Sequence, residues 1–199
     1  MKNEKRTSNP KLTTGESRRR PRTFVVTVFG SSRPKKGEPE YATAYQVGKL
    51  LAKSGFVVCN GGYGGVMEAS ARGAKESGGK TIGVVTRFFS TRANTYIDKK
   101  IMTGTHIDRL MKLIKLGDAY VILRGGTGTL VELATVWEYM NKHVVDVKPI
   151  IVVGKFWSPV VQTLAEELAF EGKGDATKYV TVVSSAQECV KALNGRFKL

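Results

Sequence analysis

Three glycine-rich stretches carry the clearest chemistry in this chain: Gly30-Ser31-Ser32-Arg33, Asn60-Gly61-Gly62-Tyr63-Gly64-Gly65 and Arg124-Gly125-Gly126-Thr127-Gly128-Thr129. Each stands where a short apolar, β-branched run gives way to a helical pattern. Glycine at such a junction lets backbone N–H groups converge on an anion with no Cβ in the way. The helix that follows adds its unpaired N–H groups and the positive end of its dipole. Ser31, Ser32, Thr127 and Thr129 bring hydroxyls to the same places, and Met67 and Glu68 open the helix after the second turn. The chemistry expected is the binding of a nucleotide-type phosphate. Met67 equally suits a core position, Glu68 a helix cap, and Tyr63 either a base-stacking or a shielding role. Glu132 lies in the first turn of the third helix, where any acid is favoured by the dipole alone.

Two standard nucleotide signatures are absent. There is no G-x-x-x-x-G-K-[ST], which argues against a P-loop NTPase. No G-x-G-x-x-G follows the first strand, and the acid that would hold a dinucleotide's ribose has no clear counterpart. A mononucleotide fits better than NAD. The two cysteines, Cys59 and Cys189, and the two histidines, His106 and His143, lack metal-ligand spacing, so neither metal nor cofactor is expected.

These turns need strands and helices to hold them, and the pattern supplies both in alternation. Strands are read at Phe24–Phe29, Phe56–Cys59, Thr81–Thr86, Ala119–Leu123, Pro149–Val153 and Tyr179–Val183. Helices are read at Tyr41–Lys53, Val66–Glu76, Thr105–Leu116, Gly128–Asn141, Trp157–Phe170 and Ser185–Leu193. The polar stretch Arg87–Lys100 has no clean period and reads as a surface loop able to act as a lid. Nearly continuous apolar strands alternating with helices predict an α/β, Rossmann-like, doubly wound parallel sheet in one domain of three layers. Its ligands would gather at the carboxyl ends of the strands, so all three turns would share one edge.

The formal charge is +15, and much of it lies in residues 1–22, where Lys2, Lys5, Arg6, Lys11, Arg18, Arg19, Arg20 and Arg22 face only Glu4 and Glu16. With so little apolar content this segment reads as a disordered basic tail, with the folded domain at 23–199. A solubilising extension and an electrostatic arm for a polyanion are both open; nucleic acid is expected nowhere else in the chain. The absence of a long apolar run and of a secretory leader points to a cytoplasmic protein away from membranes.

At the second and third turns the sequence resembles the LOG family, Rossmann-like proteins once called lysine-decarboxylase-like. Its pattern is P-G-G-x-G-T-x-x-E, and Arg124-Gly-Gly-Thr-Gly-Thr-Leu-Val-Glu132 matches all but the proline. Gly61-Gly-Tyr-Gly-Gly-Val-Met-Glu-Ala69 is similar to the family's upstream glycine turn. The resemblance implies a nucleoside 5′-monophosphate phosphoribohydrolase that releases a free base and ribose 5-phosphate. It assigns catalytic roles to Arg109, on the helix before the motif strand, and to Glu132. It also implies a homodimer or larger homo-oligomer, with Trp137, Tyr139 and Met140 as candidate interface residues. The chain departs from the pattern at Arg124 for proline, Leu110 for lysine and Val131 for glutamate. Related molybdenum-cofactor carrier proteins share the architecture and imply the alternative, a nucleotide or molybdopterin-type carrier that does not turn its ligand over.

Overall fold

The structure is a computed structural model that describes residues 23–198; the expectation of a basic tail at 1–22 lies outside them. Strands β1 (Val25–Phe29), β2 (Val57–Asn60), β3 (Thr81–Thr86), β4 (Lys99–Thr103), β5 (Ala119–Ile122), β6 (Ile150–Val153) and β7 (Val180–Val183) form one sheet. Its order is β4-β3-β2-β1-β5-β6-β7, and every pairing is parallel. The direction of winding reverses between β1 and β5. This is the switch point at which open α/β sheets bind ligands.

Alternation along the strands divides the core in two. Val26 and Val28 of β1 and Val121 of β5 face helices α1 (Pro39–Lys53), α2 (Val66–Glu76) and α6 (Ala186–Phe197). Phe29, Tyr120 and Ile122 face α3 (His106–Leu116), α4 (Thr127–Asn141) and α5 (Ser158–Phe170). The doubly wound, three-layered expectation is met. Among the described residues no helix is long and apolar enough to cross a membrane.

Side-chain bonds fix both ends of α3, a local cap at its start and two contacts to β1 at its end. Thr105 and Asp108 form a reciprocal capping box at its start. At its other end the Asp118 carboxylate accepts from the Val25 N–H at 2.9 Å, while Thr27 Oγ1 donates to Leu113 O at 3.1 Å.

Two expectations are corrected. Lys99 and Lys100 do not end a loop but begin β4, in which Ile101 pairs with Val84 of β3. This strand is an edge whose two lysines are exposed, so it has neither an apolar run nor a clean alternation to announce it. Trp137 and Met140 are not surface residues awaiting a partner. Both are buried in the chain's own core, and Trp137 Nε1 donates to Ala176 O at 2.8 Å in the 3-10 turn Gly174–Tyr179. The exposed apolar side chains on α3 and α4 are Ile107 and Val131.

Helices α1 and α2 approach closely through glycine. A Cβ on Gly48 would lie 1.9 Å from Ser70 O, and one on Gly73 would lie 2.0 Å from Tyr45 O. The obstacle is helix backbone, which cannot swing aside as a side chain can. Gly48→Ala is therefore expected to cost about 2 kcal/mol or more of stability, since overpacking must separate the two helices. Gly195→Ala on α6, where a Cβ meets nothing within 4 Å, should be neutral or stabilising by up to about 1 kcal/mol. Urea denaturation of both variants checks the pair, and equal midpoints would contradict the packing argument.

Candidate functional site

The three glycine turns meet at the switch point, and the first is clasped between the other two. Ser31 N–H donates to Arg124 O at 3.0 Å, and Val66 N–H donates to Ser31 O at 2.8 Å. Close packing explains several glycines here. Gly65 has φ +67°, and a Cβ there would sit 2.4 Å from Ser31 O. A Cβ on Gly30 would meet the Val66 side chain, and one on Gly125 would lie 2.2 Å from Thr129 Oγ1. Gly62, at φ +76°, receives its place from Asn60, whose Oδ1 accepts its N–H at 2.8 Å.

Gly126 and Gly128 are different. A Cβ on either would meet nothing within 4 Å, so the fold itself does not ask for glycine at these two positions. Gly128 even sits within the first turn of α4, where glycine costs helix stability. Both border a cavity of about 550 Å³, and their missing side chains leave its floor open. The α4 N-terminus has no side-chain cap, so its first N–H groups face that space unclaimed.

The cavity gathers residues from four parts of the chain: the Gly30–Arg33 turn, Tyr63 and Met67, Phe89 with His106 and Arg109, and the start of α4 from Gly126 to Thr129 with Glu132. Arg109 is buried at its base, 5% exposed. Its Nε donates to Val84 O at 2.9 Å, Nη2 lies 3.6 Å from Met67 Sδ, and its guanidinium stands 5.3 Å from the centre of the Tyr63 ring. No carboxylate of the described residues comes within ion-pair distance of it. Asp108, a neighbour that could have paired with it, is spent on the α3 cap. Burial pulls the Arg109 pKa below its ordinary value, partly offset by the nearby Glu132. Gly61 makes room for this arrangement, because a Cβ there would overlap Arg109 Nη2 at 1.5 Å.

Glu132 projects from one turn inside α4, half-buried, with no hydrogen bond or ion pair among the described residues. Desolvation pushes its carboxyl up to about 8, and the Arg109 charge pulls the other way without prevailing. An aromatic wall closes the opposite side. The Tyr63 hydroxyl takes the Thr86 N–H at 2.9 Å and donates to Ser90 O at 2.9 Å, which ties the 87–98 loop to the second turn. Asn94 Nδ2 reinforces the tie by donating to Tyr63 O at 2.8 Å. Phe89 then packs edge-on against both Tyr63 and His106.

The candidate residues thus separate by position. Gly30, Ser31, Ser32, Met67, Arg109, Gly126, Thr127, Gly128, Thr129 and Glu132 border one cavity. Gly61, Gly62, Gly64 and Gly65 stand behind it as packing and turn positions. Glu68 turns away to accept from the Tyr41 hydroxyl at 3.0 Å. Arg124 also turns away: it pairs with Glu40 at 2.7 Å and covers the Phe156 ring at 4.8 Å, while Gly125 borders a neighbouring cavity. Arg33, the last residue of the first glycine stretch, also borders the cavity, and Phe89 and His106 are additions that the motifs did not single out. Phe89 and His106 come from a loop without periodicity and from a helix start, so only the fold reveals them.

A seven-stranded parallel sheet with glycine turns converging on its switch point defines a Rossmann-like α/β protein. The family model described as LDcluster4, SLOG cluster4 family, matches residues 23–190, and the chain belongs to that family. An uncharacterized protein of Archaeoglobus fulgidus is 39% identical over 116 residues, 58% of this chain and 76% of its own length. The cytokinin riboside 5′-monophosphate phosphoribohydrolase of Mycobacterium tuberculosis is 34% identical over 135 residues, 65% of this chain and 70% of its own length. Among solved structures, the molybdenum cofactor binding protein of Rippkaea orientalis aligns with a TM-score of 0.70 at 26% identity, covering 89% of this chain and 99% of that one.

The raised Glu132 pKa sets a pH dependence of stability. A carboxyl whose folded value of about 8 exceeds its ordinary 4.5 binds its proton more tightly when folded. Its contribution therefore is greatest below the ordinary value and is lost as pH rises from about 4.5 to about 8. Glu132→Gln should gain stability relative to the parent chain across that window, and a pH series of thermal or urea melts measures the gap. A gap that stays flat with pH would show that Glu132 is not desolvated.

Proposed function

We propose that this protein hydrolyses the N-glycosidic bond of a nucleoside 5′-monophosphate, releasing a free base and ribose 5-phosphate. The observation that carries the reading is the meeting, on one side of one cavity, of an uncapped helix N-terminus with a carboxyl group that has no hydrogen-bond or ion-pair partner among the described residues. The 5′-phosphate rests on the first N–H groups of α4, with the hydroxyls of Thr127 and Thr129 as further donors. This leaves the ribose within reach of Glu132, one helical turn along. Water attacks C1′ and gives its proton to the Glu132 carboxylate, the C1′–N bond breaks with its electrons on the base, and the departing nitrogen takes up a proton from solvent, after which Glu132 returns its own to solvent. A carboxyl held near neutral pH suits such a proton transfer. Arg109, a buried cation with no carboxylate at ion-pair distance among the described residues, favours an anionic ligand and limits how far the Glu132 pKa rises. The Tyr63 and Phe89 rings offer faces or edges to a planar base. The name of the mycobacterial relative supports the same reaction class.

The test is incubation with AMP and with N6-prenylated AMP, followed by chromatography for free base and ribose 5-phosphate. Activity is expected to rise with pH toward about 8 as Glu132 loses its proton. Glu132→Ala should lower kcat by roughly a hundredfold or more, the size expected for loss of a positioned base or charge. Thr129→Val should act mainly on KM. Base release no faster than in Glu132→Ala would overturn the reading, and stoichiometric retention of a phosphorylated ligand without turnover would make the protein a carrier.

A further inference from the structure

Beyond the cavity just described, the strand edge holds a second pair of hollows on the other side of the Ser31–Arg124 bridge. They measure about 280 and 380 Å³ and share Glu40, Arg124 and Phe156. The smaller lies over the ends of β5 and β6 and reaches Ser184 beyond β7, and the larger links it to the turn after β1, so neither touches Tyr63 or Arg109. The two halves communicate. Ser31 and Arg33 border both the candidate site and the nearer hollow, and consecutive residues Gly125 and Gly126 border one each.

We propose that these two hollows, joined at Glu40, Arg124 and Phe156, receive a nucleoside, so that the protein accepts a dinucleotide whose pyrophosphate rests on the start of α4. The inference builds on the reading of α4 as the phosphate site and extends that site across the sheet. Phe156 supplies the stacking surface. The residue is 48% exposed, and its ring packs edge-on against Trp157 at 5.1 Å. The neighbouring Trp157 is buried with Nε1 donating to Leu123 O at 3.0 Å, and Gly154 N–H donates to Val183 O at 2.8 Å. The Arg124 guanidinium lies over the Phe156 ring at 4.8 Å, the spacing at which a planar group can share or replace its place. Its ion pair with Glu40 is solvent-exposed, with side-chain exposures of 59% and 30%, so moving Arg124 aside sacrifices little. Glu40 would then be free to accept from ribose hydroxyls, the role an acid plays at the ribose of other dinucleotide sites. Arg33 and Arg124 flank the turn where the two phosphates would cross. The missing G-x-G-x-x-G after β1 does not oppose this, because here the phosphates rest after β5 instead.

Calorimetric titration of the Glu132→Gln chain, which keeps the ligands intact, compares AMP with diadenosine 5′,5′-pyrophosphate. The dinucleotide is expected to bind at least tenfold more tightly than AMP. Phe156→Ala should erase that advantage while changing the AMP affinity less than twofold, and Arg124→Ala should reduce it. Both residues are exposed, and far-UV circular dichroism confirms that the variants fold. Equal affinities for the two ligands, absent binding of the dinucleotide, or a Phe156→Ala effect that weakens both alike would overturn the proposal. Base release from AMP without a dinucleotide preference would leave the hydrolase reading standing alone. A dinucleotide preference without base release by the parent chain would leave only the binding proposal.

Discussion

The site depends on the backbone of one residue, Ser31. Ser31 gives its N–H to the turn after β5 and its C=O to the first residue of α2, so the loop after β1 is held by both neighbouring turns at once. Both bonds need backbones to come closer than side chains permit, which is why Gly65 and Gly125 flank the contact. Without this clasp the ends of β1, β2 and β5 would still lie side by side, because strand pairing fixes that. What they would lose is the shared wall that separates one cavity from the other. A backbone hydrogen bond contributes only about 1 kcal/mol to stability. Its larger effect here is positional, since it sets where the α4 N-terminus stands relative to Tyr63 and Arg109.

Arg109 illustrates how far the positioning extends. A buried guanidinium without a carboxylate is costly, and the chain lowers that cost with a carbonyl from β3, a thioether from α2 and an aromatic face from the second turn. Gly61 leaves the volume that the guanidinium fills. The charge is thus kept in the cavity and not neutralised before a ligand arrives. Glu132 stands nearby under the same desolvation and answers by holding its proton more firmly. Two groups of opposite sign, each only partly satisfied, are a pattern associated with function more often than with packing.

Much of the frame could be read from residue types because the physics behind it is local. The alternation of apolar runs with helical periods gave the doubly wound sheet, and the glycine turns marked which edge would carry the site. What escaped was set by the tertiary structure. β4 is an edge strand with exposed Lys99 and Lys100, so its pattern is that of a polar loop until it pairs with β3. Arg124 and Glu68 occupy motif positions, yet their side chains find partners in Glu40 and Tyr41 of α1, a helix whose approach no turn motif records. Trp137 and Met140 have the composition of an interface and the burial of a core, and composition cannot separate the two. Phe89 reaches the cavity from the loop between β3 and β4, which Tyr63 ties down, and His106 reaches it from the start of α3.

The glycines themselves divide into those the fold requires and those it does not, and the division is informative. Gly30, Gly61, Gly65 and Gly125 answer to neighbouring atoms of the protein, so their presence is explained without a ligand. Gly126 and Gly128 answer to nothing in the chain, and Gly128 weakens the helix it begins. A position that sacrifices stability and relieves no contact within the protein is best understood through a contact outside it. The space above both residues is the cavity that Arg109 and Glu132 border. The unfilled demand of the α4 N-terminus and the absence of side chains around it therefore point to the same small volume, where an anion can approach backbone donors directly.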